Sequence, residues 1–268
     1  MLTDATVESW LREDLGHHDV TNDVPGDADG RLVAREGGVA AGVDAAVRVF
    51  EHLGVDATPT VETGDRVEAG EPVLRTAGSA QSTLRAERVA VNVAGHASGV
   101  ATATRTAVEA ARSVSETVDV AATRKTTPGL RGVEKRAVAA GGGDTHRLDL
   151  SHMAMVKENH AADVGLEAAV ERVRERASFA TNVEAEVERP EDAVRAAEAG
   201  ADIVLFDNMT PEAVRRGVES LPAGVLTEAS GGITVETVPE YARTDVDVIS
   251  MGSLTHSAPS LDYSFRVE

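Results

Sequence analysis

The chain has 268 residues, 42% of them hydrophobic, with 45 acidic against 26 basic residues, a formal net charge of -19 and no cysteine. That length buries a substantial core and suits one large α/β domain or a barrel with a smaller companion. The composition excludes disulfides, thiolate metal sites and cysteine nucleophiles, and no apolar run approaches the roughly 20 residues that span a bilayer.

In chain order, "MLTDATVESWLRED" is acidic and amphipathic, with neither a basic n-region nor an apolar core. No signal peptide is expected, and the expected compartment is the cytoplasm. A helix is predicted near Ala5 to Leu15, a strand over Gly30 to Arg35, a helix near Asp44 to Leu53, and strands over Thr58 to Glu62 and Pro72 to Arg75. The charged, Gly-containing "ETGDRVEAGEPV" reads as a hairpin-like connection between the last two. From Ser79 to about Ser113 the chain is Ala-rich with helical spacing, and Gly95 and Gly99 signal either a break or close helix packing.

Short apolar runs then alternate with helical patterns: "TVDVA", "MAMV", "NVEAEVE", "DIVLF", "GVLTEA" and "DVDVIS". Six such strands with helical returns predict a parallel sheet, and their even spacing favours a barrel over an open sheet. Polar residues cluster at the C-terminal ends of these runs: Thr123, Arg124 and Lys125; Lys157; Glu186; Asp207; Glu228 and Ser230; Ser250 and Gly252. That rim is where α/β barrels build active sites, so an enzyme is expected.

"ASGGIT" and "SMGSLTHS" are each read as a strand end opening a helix, where exposed N–H groups would cradle a phosphate. "NVEAEVERP" alternates with period two, placing Glu184, Glu186 and Glu188 on one face. A covered acidic face needs cations or hydroxyl groups, and with Asp207 on the next strand a ribose or Mg²⁺ site follows. No HxH or HExxH spacing occurs, which argues against zinc; His17, His18, His52 and His256 read as surface or structural residues.

The acids are scattered rather than gathered in a tail, and only three lysines occur, Lys125, Lys135 and Lys157. This pattern suggests a surface adapted to high salt. Residues 122 to 160 are the exception, with a local excess of positive charge that predicts a small anionic ligand. Nucleic acid is not expected, because so negative a field repels a polyanion and few aromatics are available for stacking.

The runs "ATRKTTPGLR", "GGGDTHRLDLSHMAMVKENH", "VEAEVE", "FDNMTPE", "EASGGI" and "SMGS", with "EDLGHHDVTND" and "ERVAVNVAGHASGVATATR" upstream, resemble the nicotinate-nucleotide pyrophosphorylases, also called quinolinate phosphoribosyltransferases. The resemblance covers nearly the whole chain. It implies an open α/β barrel of six to seven parallel strands over residues 105–258 and a smaller N-terminal α+β domain over residues 1–104, to which residues 259–268 return. It implies transfer from phosphoribosyl pyrophosphate to quinolinate, giving nicotinate mononucleotide, pyrophosphate and CO₂ in NAD biosynthesis.

Residue by residue, the resemblance implies a quinolinate pocket of Thr123, Arg124, His146, Arg147 and Lys157, completed by Arg88 reaching from the second subunit of a homodimer. Lys125, Glu186 and Asp207 carry the implied catalytic roles, the two carboxylates with Mg²⁺. Ser230, Gly231, Gly232, Ser250 and Gly252 form the implied phosphate cradle. The chain departs from the family pattern at Ala122, where an aspartate is usual, and more mildly at Glu158 and His18. Two other readings remain open: a relative acting on nicotinate or another small acid, and a non-catalytic nucleotide-binding regulator.

Overall fold

Thr3 accepts a hydrogen bond from the Thr6 amide and so caps the first helix, Asp4–Leu15, whose apolar side buries Val7 and Leu11. This computed structural model describes residues 2–268. Twelve strands follow among them: β1 (Asp27–Ala34), β2 (Gly38–Val39), β3 (Asp56–Pro59), β4 (Arg66–Val67), β5 (Pro72–Ser79), β6 (Asp119–Ala121), β7 (Ala154–Val156), β8 (Val183–Val187), β9 (Ile203–Asp207), β10 (Leu226–Ser230), β11 (Val248–Ser250) and β12 (Tyr263–Val267). The chain divides into two compact units.

The first unit takes residues up to Arg105, Thr126–Gly142 and Leu254–Glu268. Its sheet runs β12-β1-β5-β3, with antiparallel pairs, so the C-terminal strand returns to lie beside β1. The predicted hairpin between β3 and β5 forms, with β3 starting at Asp56 rather than Thr58 and β5 at Pro72 as read, and its connection carries β4, which pairs with β2 instead. The predicted break near Gly95 and Gly99 does not form: one helix runs through from Ala80 to Arg112. Close packing is the operative reason, because a Cβ at Gly99 would lie 2.0 Å from the Pro259 carbonyl oxygen, and the Leu261 amide donates to the Gly95 carbonyl at 2.9 Å.

The segment 126–142, expected within the barrel, packs with the first unit. Its helix Arg131–Ala140 buries Val133, Ala137 and Val138. The fully buried Glu134 accepts from the Thr127 amide and hydrogen-bonds His96 Nε2 at 2.9 Å. Arg105 Nε donates to the Gly141 carbonyl at the helix end.

The second unit, Thr106–Lys125 with Gly143–Ser253, holds the six predicted strands, all parallel, in the order β7-β8-β9-β10-β11-β6. A single bridge between Ala121 and Asp144 extends the sheet beyond β6. The β8–β11 returns are helical: Glu191–Glu198, Pro211–Ser220 and Val238–Ala242, with Leu166–Arg174 before β8. Thr210 and Pro211 start the helix Pro211–Ser220 as N-cap and first-turn proline. The sheet is an open α/β barrel, curled so that side chains from non-adjacent strands meet inside it.

Candidate active site

Parallel pairing puts partnered residues on the same face, so the register identifies the inner surface of the barrel. One rung joins Ala121, Ser250, Ser230 and Asp207 across β6, β11, β10 and β9. The next joins Asp119, Val248, Glu228, Leu205 and Glu186, and below it Leu226, Ile203, Glu184 and Met155 align. The alternating acids of β8 therefore face inward, with Glu184 wholly buried, Glu186 half-buried and Glu188 exposed past the strand end.

At the C-terminal rim, Lys157 Nζ pairs with Glu186. Asp207 lies within electrostatic reach of Glu186, Lys157 and Lys125; burial, then Glu186, raises its carboxyl above the usual range, and the two lysines oppose this. Asn208, in the left-handed region at φ 54, donates from its side chain to Asp207 Oδ2 at 2.7 Å, and its amide donates to the Ser230 carbonyl. Ser250 Oγ donates to Ser230 Oγ at 2.9 Å.

Gly231 has φ 93, and a Cβ there would lie 2.3 Å from Asn208 Oδ1, so only glycine fits this turn. The expectation that "ASGGIT" opens a helix needs correction: a bend and turn follow Gly232, and the helix starts only at Val238, beside Pro239. After β11 a single helical turn, Ser253–His256, does follow Gly252 directly.

Arg147 is 7% exposed, and its guanidinium donates to Met155 Sδ at 2.9 Å. Burial lowers its pKa; Glu184, Glu228 and Glu186 pull it back up, and neighbouring Arg124 lowers it further. Thr123 accepts from the Lys125 amide at 3.0 Å and shapes the turn after β6. Ala122 is buried, and its amide donates to the Asp144 carbonyl. Arg88 lies in the first unit on the long helix, its side chain 58% accessible beside Glu87.

His146 turns its imidazole into the barrel, where Nε2 hydrogen-bonds Glu228 Oε2 at 2.9 Å and stands 3.8 Å from Glu184 Oε1. Desolvation would lower its pKa, but Glu184 and Glu228 outweigh this and push it up to about 10. Linear spacing did not join these three residues; the only signals were the period-two acids and a glutamate inside "GVLTEAS". Their ligand atoms lie within 4.8 Å of one another, a spacing that could hold a metal ion, although the imidazolium already supplies the balancing positive charge. A cavity of about 440 Å³, lined by Asp119, Ile203, Leu226 and Val248 at the N-terminal strand ends, reaches His146 and Glu228 from below.

For a cation at the rim, the donors are Glu186 and Asp207, two hard oxygen ligands on adjacent strands. That set suits Mg²⁺, which takes one or two protein carboxylates and completes its shell from phosphate and water. Among the described residues, no helix is long and apolar enough to cross a membrane.

Residues 100–266 match the family model of the quinolinate phosphoribosyl transferase C-terminal domain, and residues 18–98 match its N-terminal domain. A probable nicotinate-nucleotide pyrophosphorylase (carboxylating) from Methanothermobacter thermautotrophicus is 46% identical, with 97% of each chain covered. The human nicotinate-nucleotide pyrophosphorylase (carboxylating) is 42% identical over 98% of this chain and 91% of its own. The crystal structure of NadC from Streptococcus pyogenes superposes with a TM-score of 0.93 at 39% identity, covering 100% of this chain and 98% of that one.

Proposed function

This chain belongs to the quinolinate phosphoribosyl transferase family, and on that premise we propose that it converts quinolinate and phosphoribosyl pyrophosphate to nicotinate mononucleotide, pyrophosphate and CO₂. The observation that carries the reading is the inner rung Asp207–Ser230–Ser250 next to the Lys157–Glu186 pair. It sets a hydroxyl and glycine turn for a phosphate beside paired acids and amines for a ribose and its leaving group, with two arginines within electrostatic reach of each other.

In this reading Arg124, Arg147 and Lys157, with Thr123 and His146, hold the quinolinate carboxylates and orient the ring nitrogen. Arg88 enters from the second subunit of a homodimer, in keeping with its exposed position. Ser230, Gly231, Gly232, Ser250 and Gly252 hold the 5′-phosphate. The ring nitrogen bonds to the ribose carbon as the bond to pyrophosphate breaks, and Glu186 and Asp207 stabilise the positive charge that develops on the ribose. Lys125 offsets the negative charge of the leaving pyrophosphate. Mg²⁺ bound near Glu186 and Asp207 would supply further charge neutralisation of the pyrophosphate. The positive charge of the quaternised ring nitrogen then stabilises the electron pair left on the neighbouring ring carbon as CO₂ leaves, and that carbon takes up a proton with this pair.

The test is incubation of the purified protein at high salt with quinolinate, phosphoribosyl pyrophosphate and Mg²⁺, reading nicotinate mononucleotide and CO₂ together in equal amounts. Product from nicotinate but none from quinolinate would overturn the assignment, and omission of Mg²⁺ with full activity would remove the metal from it.

A further inference from the structure

Two buried glutamates of the barrel strands remain outside the reading above. Glu184 and Glu228 are 0% and 2% exposed, on strands that do not adjoin, and both point into the barrel toward His146. Each stands two residues before a rim residue on the same strand face, Glu184 before Glu186 and Glu228 before Ser230. Among the described residues, neither Glu184 oxygen has a hydrogen-bond partner. A wholly buried carboxylate left in that state is costly unless a nearby positive charge uses it. The charges within reach are His146 at 3.8 Å and the guanidinium of Arg147.

We propose that Glu184 and Glu228 are positioning residues of the dicarboxylate subsite, acting through the consecutive pair His146–Arg147. The inference rests on the proposed function and deepens it. Arg147 and Arg124 repel one another, and a charged imidazole next in sequence adds a third cation. Two carboxylates behind them neutralise this repulsion from the interior side, so the cations keep one orientation and face the ligand. Glu228 fixes the imidazole through Nε2, and the His146 amide donates to Asp144 Oδ1 at 2.5 Å, holding the left-handed backbone at φ 50 from which Arg147 departs. Glu184, level with Met155, lies in the rung where the Arg147 guanidinium is anchored. A purely structural polar layer would stabilise the barrel without favouring one substrate over the other.

The two roles separate in steady-state kinetics of the full-length protein carrying Glu184→Gln, Glu228→Gln, His146→Asn and the Glu228→Gln/His146→Asn pair. Wild-type turnover of quinolinate comes first; its absence would refute the functional reading itself, independently of these variants. Given turnover, each glutamine variant is expected to raise KM for quinolinate by about tenfold while KM for phosphoribosyl pyrophosphate stays within about twofold. Adding Glu228→Gln to His146→Asn is expected to raise KM no further, the signature of action through one residue. Parallel rises in both KM values, or fully multiplicative effects in the pair, would overturn the proposal. If Glu228→Gln does not fold, Glu184→Gln carries the same KM comparison, with calorimetric quinolinate binding as a second readout.

Discussion

Arg147 combines burial and charge in one side chain, its guanidinium held, among the described residues, by a hydrogen bond to the Met155 thioether. Removing it deletes a fixed cation from the proposed dicarboxylate pocket and leaves the glycine turn at Gly231 untouched. Arg147→Ala is therefore expected to raise KM for quinolinate by at least about tenfold with little change for phosphoribosyl pyrophosphate; equal losses for both substrates in initial-rate measurements would contradict the pocket. The neighbouring His146 gives a second prediction, in stability. Its pKa rises from 6.5 to about 10 on folding, so its contribution is complete below 6.5 and is lost as pH climbs toward 10. Glu184 runs the same way: burial first, then Glu228, pushes it from 4.5 up to about 7 against the pull of His146, and its ionisation across that interval costs stability. Melting temperature should thus fall from about pH 5 to about pH 10, and His146→Asn should flatten the upper half of that slope. A wild-type melting temperature that rises through this window would refute the account.

Elements were legible wherever burial leaves a repeating mark. The six barrel strands stand where short apolar runs alternate with 3.6-period helices, and Glu186, Asp207, Glu228, Ser230 and Ser250 share the inner face because strand side chains alternate. Three things were hidden. A helix break and a close helix crossing use the same glycines, so "NVAGHASG" could not say that the chain near Pro259 lies against an unbroken helix. The segment 126–142 follows a barrel strand in sequence, and it takes the burial of Glu134 against His96 and the Arg105–Gly141 hydrogen bond to show which unit it joins; in the same helix Lys135 is 3% exposed while Arg136 is exposed, a difference that the pair of like charges does not encode. The His146–Glu184–Glu228 group is brought together by barrel curvature, which linear spacing does not carry. The long helix offers a direct check. Helix propensity alone favours alanine over glycine by about 1 kcal/mol, yet at Gly99 the added carbon meets backbone at 2.0 Å, which cannot rotate away. Gly99→Ala is expected to destabilise by about 1–3 kcal/mol, whereas Gly132→Ala, whose carbon would meet only the tip of Arg136 at 3.8 Å, is expected to stabilise by up to about 1 kcal/mol. Denaturant unfolding of both variants compares the two signs, and a stabilised Gly99→Ala would mean that the crossing is looser than described.

For the whole molecule, the net charge of -19 sets two demands in opposition. The surface repels itself and the protein's own anionic substrates, while the rim must attract those substrates. Two of the three lysines, Lys125 and Lys157, stand at the rim, where Lys157 pairs with Glu186 and both lie within electrostatic reach of Asp207. Dissolved salt acts differently on the two. Between about 10 mM and 1 M the screening length falls from about 30 to about 3 Å, which removes repulsion between exposed acids spread over the surface but weakens a buried pair such as His146–Glu228 far less. Folding stability should accordingly rise with KCl up to molar concentration, each kcal/mol of relieved repulsion raising Tm by about 2–4 °C in a chain of this size. Glu171→Lys combined with Glu219→Lys, both at exposed positions, should raise Tm at low salt and reduce the gain from KCl, since less repulsion remains to be screened. Thermal melts of both proteins across the KCl series provide the measurement: a wild-type Tm that is flat or falls with KCl, or a salt response unchanged by the two lysines, would separate the acidity of this chain from salt adaptation.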